Sequence, residues 1–165
     1  MLVFRKTSDT TNELTRWVDV SVVDALDLST LTAAKDAGKA PDVPSIRVCV
    51  RPASTRGYQL AREACLANMQ ALPERYDFGA ANFRVSPAAA EAVHSAHTAF
   101  VSAIAEHIVV DWEGVTTEDG VTLPFTVDNF VSVCGEYPEI ARAVHFEAEK
   151  LENEARKRVD DIVEK

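Results

Sequence analysis

Asp111-Trp112-Glu113-Gly114-Val115, followed by Glu118-Asp119-Gly120, Leu123-Pro124-Phe125-Thr126 and Tyr137-Pro138, is the stretch on which the fold turns. It sets a tryptophan, an acidic turn, an aromatic residue and two helix starts in one short run between two helical patterns. Gly120 suits the positive φ of a tight turn, with Val115 and Val121 as short strand positions on either side. Residues 111–125 therefore read as a compact β-turn element. Thr126 is placed to cap a helix over 127–134, Gly135 to end it, and Tyr137-Pro138 to restart the chain in a new first turn.

Downstream, residues 138–163 carry the longest periodic signal. Ile140, Val144, Ala148, Leu151, Ala155, Val159 and Ile162 recur at spacings of four and three, a narrow apolar seam on a long amphipathic helix. Glu152 with Arg156 and Glu154 with Arg158 are i,i+4 pairs in the favourable orientation. At about 1.5 Å per residue such a helix is nearly 40 Å long, more than a small core covers. Its far half is expected to meet another chain, with Val144, Leu151, Ala155, Val159 and Ile162 as the partner-binding stripe. Replacing Leu151 and Val159 by Asp is then expected to abolish binding and leave the domain folded.

Upstream, Ser86-Pro87 marks a helix start, and Val93, Ala96, Phe100, Ile104 and Ile108 form its stripe. Ser54 reads as the N-cap of an earlier helix over 55–72, striped by Tyr58, Ala61, Cys65, Met69 and Leu72. Gly57 lies in its first turn. Ile46, Val48 and Val50 alternate with Arg47 and Arg51 in a strand that Pro52 ends. Residues 17–23 alternate likewise, and with the apolar-leaning run 2–6 they suggest a hairpin. A short helix within 26–37 stops before Gly38. The whole chain, 1–165, reads as a single α+β domain, mainly α-helical. A β-rich part (1–52) forms a small antiparallel sheet, residues 54–137 are helical around the β-turn element, and 138–163 form the long helix.

Composition narrows the function. The net charge of −9 argues against nucleic acid, since phosphate binding needs a positive surface. No apolar run approaches the roughly 20 residues that span a bilayer, and the start lacks a signal-peptide layout, so a cytoplasmic location without membrane contact is expected. Cys49, Cys65 and Cys134 form no C-x-x-C pair and read as reduced, buried thiols. His94 and His97, with Glu91 or His107, have the spacing of a helical metal pair, but no further ligand set accompanies them and ordinary, partly exposed histidines explain them far better. Asp111, Glu113, Glu118 and Asp119 lack EF-hand spacing and suit a solvated turn. Ser54, Ser95 and Ser102 lack a nucleophile elbow, and no glycine-rich phosphate loop is present. No catalytic, cofactor or metal residue is expected, and the protein is not read as an enzyme. Trp112, Phe125 and Tyr137 remain as structural anchors of the joint.

The order of phrases is more specific than any single residue. Val110-Asp111-Trp112-Glu113-Gly114-Val115, Asp119-Gly120, Leu123-Pro124-Phe125-Thr126 and Tyr137-Pro138-Glu139-Ile140-Ala141-Arg142-Ala143-Val144 together resemble tail assembly chaperones of long-tailed bacteriophages and prophages. Pro52-Ala53-Ser54-Thr55 and the helix after it look like that family too. The resemblance implies a non-enzymatic, oligomeric protein that holds the tape-measure protein soluble while tail-tube subunits assemble. The alternative is a structural virion component, such as a tail-completion or head–tail connector protein.

Overall fold

The computed structural model describes residues 14–26, 28–70 and 86–163. In chain order these form β1 (Arg16–Ser21), a 3-10 turn (Val23–Ala25), α1 (Leu28–Asp36), β2 (Ser45–Val50), α2 (Arg56–Gln70), α3 (Pro87–His107), β3 (Val109–Glu113), α4 (Val127–Glu136) and α5 (Pro138–Val163). The fold is α+β, mainly helical, with a small antiparallel sheet and a long last helix. The run 2–6 lies outside the described residues.

The sheet has the order β1-β2-β3, with β2 central and both pairings antiparallel. Its inner face carries Val18, Val20, Ile46, Val48, Val50, Val109 and Trp112, all buried. Its outer face is polar where the strands register: Asp19 lies opposite Arg47, and Arg47 opposite Glu113. Arg47 accordingly pairs with Asp19 at 3.6 Å and with Glu113 at 3.1 Å, and its guanidinium stands 5.2 Å from the Trp17 ring centroid. Cross-strand charge pairs of this kind fix register more than they stabilise.

The third strand corrects the reading of 111–125 as a self-contained β-turn element and of the sheet as confined to 1–52. Residues 109–113 pair with the free edge of β2 and satisfy a row of backbone groups there. A bulge between Cys49 and Val50 shifts the register, so Val110 and Asp111 both point outward while Val109 and Trp112 point in. Only the tip remains local, as a Thr116–Thr122 bridge around Gly120, whose φ is 77°.

Helix ends follow their chemistry. Ser86 Oγ accepts from the Ala89 amide at 3.2 Å, with Pro87 in the first helical turn. Thr126 Oγ1 accepts from the Asn129 amide at 3.0 Å and starts α4. α4 does not stop at Gly135. It continues to Glu136, and Tyr137 at φ −126°, ψ 78° closes it, because the residue before Pro138 is pushed out of helical geometry. Ser54 is likewise one residue early: α2 opens at Arg56, and the Gln59 amide donates to the Thr55 carbonyl at 3.1 Å.

One hydrophobic cluster joins these elements. α5 lies across β1 and β2, α3 against β3, α2 and α4. Ile140, Val144, Ala148 and Leu151 are each 1% exposed or less, and each large one contributes on the order of 2 kcal/mol through burial. α1 forms at the expected place, but Leu28 and Leu31 are exposed and none of its described residues is buried.

Candidate functional site

Trp112 is buried where β3, the 115–123 turn and α4 meet. Its Nε1–H donates to the Leu123 carbonyl at 2.8 Å, and Leu123 N–H donates to Val115 O at 2.9 Å. The indole meets Phe125 edge-on, centroids 5.7 Å apart, and Phe130 at 5.9 Å. Tyr137, half-buried, packs against the core at the corner between α4 and α5. These three residues therefore sit on the folded joint, with their rings turned to the chain's own interior. Asp111 accepts from the Trp112 amide at 2.8 Å, Glu113 is taken by Arg47, and Glu118 and Asp119 are exposed in the turn.

The α5 stripe divides in two. Val144 and Leu151 are in the chain's own core, at 0% and 1% exposure, Ala155 is half-buried, and Val159 and Ile162 are 59% and 75% exposed. Only Ala155, Val159 and Ile162 of the expected partner-binding residues are open to another molecule. The expectation that Leu151→Asp leaves the domain folded is overturned by this burial, since it would bury an unpaired carboxylate. Glu154 also differs from its expected partnership with Arg158: Arg16 of β1 forks onto it, Nη1 to Oε1 at 3.1 Å and Nη2 to Oε2 at 2.6 Å. That hydrogen bond holds the Glu154 carboxyl below its ordinary pKa. Glu152 does pair with Arg156.

His94 and His97 are exposed on α3, and no group of three or more His, Cys, Asp or Glu among the described residues could hold a metal ion. Cys49, Cys65 and Cys134 are buried and free. Burial pushes the Cys134 thiol up to about 12, the opposite of an activated nucleophile. Ser95 is exposed, and Ser54 and Ser102 are half-buried.

Two hollows of the surface lie where α2 runs beside α3 and α5. One groove, of about 390 Å³, is bounded by Cys65 and Leu66 of α2, Val93, Ala96, His97 and Phe100 of α3, and His145 of α5. A second, more polar hollow of about 500 Å³ adjoins it, between Gln59 and Glu63 of α2 and Glu149, Glu152 and Arg156 of α5. Arg62 and Leu66 line both. Between them lies an aromatic floor: the Tyr58 ring is 6.3 Å from Phe100 and 5.8 Å from His145, and Phe100 meets His145 edge-on at 5.6 Å. Burial pushes the Tyr58 hydroxyl up to about 12 and holds the His145 imidazole below its ordinary pKa. Both rings are neutral near pH 7, so the floor is uncharged, although the Tyr58 hydroxyl and His145 Nε2 are buried in it without a hydrogen-bond partner among the described residues. Leu66, on the rim of the groove, is 47% exposed.

Sequence reasoning finds the α3 wall of this groove as the Val93, Ala96 and Phe100 stripe, and Cys65 of α2, but neither Arg62 and Leu66 nor His145, which comes from a third helix. Away from the groove, a Cβ at Gly57 would stand 2.7 Å from His107 Cε1, so the glycine admits the imidazole at the end of α3.

No helix among the described residues is long and apolar enough to cross a membrane. Residues 54–165 match the family model described as YdaY prophage protein. That is well over half of the chain, which therefore belongs to this family and is of phage or prophage origin. No match was found among curated proteins or among solved structures.

Proposed function

We propose that this prophage protein is a tail assembly chaperone that binds the tape-measure protein and keeps it soluble during tail morphogenesis in the host cytoplasm. The observation that carries this reading is the apolar groove between α2 and α3, lined by Phe100 and His145 and rimmed by the exposed Leu66. A groove of this kind accepts the apolar face of an amphipathic helix. A long tape-measure helix outside its tube exposes just such a face and aggregates unless it is covered. The net charge of −9 favours a basic partner segment and speeds its encounter. The prophage family supports a phage-related role, and the resemblance of the 110–144 phrase order to tail assembly chaperones supports the narrower one.

The test is capture of the tape-measure protein of the same prophage by the full chain and by Leu66→Asp. Leu66 is half-exposed on the rim, so the substitution leaves the fold intact and puts a charge in the path of an apolar helix. Binding by the wild-type chain, weakened at least tenfold in the variant, is the expected result. Equal binding by both proteins contradicts the groove, and no binding by either contradicts the chaperone.

A further inference from the structure

From Arg156 to Ile162 every residue of α5 is exposed, about two turns of helix beyond its packed part. So short a helical segment is marginal in water unless something packs on it. Ala155, Val159 and Ile162 continue the core stripe into this stretch, with Val159 and Ile162 59% and 75% exposed. The charges here are segregated: Arg156-Lys157-Arg158 is followed by Asp160-Asp161. Among the described residues Arg156 pairs along the helix with Glu152, an exposed contact it can share, and no ion pair uses Arg158, Asp160 or Asp161.

We infer that residues 155–162 form a self-association surface, pairing antiparallel with the same segment of a second copy of this chain. On the helical wheel Arg156 and Asp160 flank the apolar face on one side, and Arg158 and Asp161 on the other. In a parallel pair, opposite flanks meet at the same level, which brings Arg156 against Arg158 and Asp160 against Asp161 of the second copy. Such like-charge contacts oppose association. In an antiparallel pair, like flanks meet in reverse order. With the two-fold axis near Val159, Arg156 then faces Asp160, Arg158 faces Asp161, and Ala155 packs on Ile162 of the other copy. The arrangement is isologous and closes at two. It sends the two folded bodies to opposite ends of the paired helices. The contact is only about two turns long, short of the roughly 1,200 Å² of a standard interface, so the dimer is concentration-dependent.

The surface is separate from the α2–α3 groove, and its test does not depend on what the groove binds. Sedimentation velocity over a concentration series is run on the full chain, on Arg156→Glu/Arg158→Glu, and on Asp160→Arg/Asp161→Arg. Wild type is expected to dimerise with rising concentration, each variant alone to associate at least tenfold more weakly, and their equimolar mixture to recover the dimer. Orientation is read by oxidation: Ala155→Cys mixed with Ile162→Cys gives the mixed disulfide, and Ala155→Cys alone gives none. A wild-type monomer at every concentration, charge variants that dimerise unchanged, or a ready Ala155→Cys homodisulfide would each overturn the inference.

Discussion

Gly57 and His107 illustrate how one residue type answers to a neighbour far away in sequence. Alanine in place of a helical glycine ordinarily gains up to about 1 kcal/mol. Here the new methyl would stand 2.7 Å from the His107 ring, and the imidazole, half-buried, must swing aside. The expected outcome is a coupled pair. Gly57→Ala stabilises the His107→Ala background by about 0.5–1 kcal/mol and falls short of that gain in the wild type. Denaturant unfolding of the four proteins checks this, and strict additivity contradicts the contact. Trp112 is read in the same way. Trp112→Phe keeps a ring beside Phe125 and Phe130 but leaves the Leu123 carbonyl without its 2.8 Å donor, a loss of about 1–3 kcal/mol. Trp112→Ala also removes the packing and costs about 3–5 kcal/mol. A Trp112→Phe protein as stable as wild type would remove the hydrogen bond from the account.

Among the elements, α5 changes most between sequence and structure. Its period is legible along its whole length, but period alone does not say where the core ends. Ile140, Val144, Ala148 and Leu151 meet β1, β2 and α4, whereas Val159 and Ile162 reach past them. The same four-three spacing serves both halves, because a helix repeats its face whether or not a neighbour lies against it. Leu151→Asp is therefore expected to unfold the protein or cost more than about 4 kcal/mol, and Val159→Asp to stay within about 0.5 kcal/mol of wild type. Thermal unfolding followed by circular dichroism distinguishes them, and equal effects would contradict the boundary after Leu151. The starts of α3 and α4 were legible because Ser86-Pro87 and Thr126 cap locally. The third strand was not: Val109 and Trp112 find their places through the edge of β2, some sixty residues earlier. The Glu154 partnership failed for the same reason, since Arg16 lies 138 residues away. The groove shows both cases together, with its α3 wall readable as a stripe, only Cys65 readable on α2, and its His145 supplied by α5.

For the whole molecule, three buried groups set a pH window. His145 is held below its ordinary 6.5 by burial. Stability is therefore full above 6.5 and falls as the pH drops toward the lower folded value, because the unfolded chain takes up the proton first. Glu154 adds to the acid side at lower pH: with its folded pKa depressed by Arg16, its contribution is present above the ordinary 4.5 and is lost as the pH falls through the folded value. Cys134 and Tyr58 act in the opposite sense. Burial raises them from 9.0 and 10.0 to about 12, so their contribution is full below 9 and is lost as the pH rises toward 12. Melting temperature is expected to be greatest between about pH 6.5 and 9. His145→Phe is expected to flatten the fall just below pH 6.5, and an unchanged acid limb in that variant would contradict the burial of a neutral imidazole.

The claim that unites these scales is that a prophage-encoded α+β protein covers the apolar helix of another protein. Expression of the prophage tape-measure protein with and without this chain, followed by purification of finished particles, tests it most directly. The account predicts that the tape-measure protein moves from the insoluble to the soluble fraction in a complex with this chain, and that finished particles lack the chain. A tape-measure protein equally soluble without it, or the chain retained stoichiometrically in particles, would contradict that role. Retention in particles would make the protein a structural part of the virion.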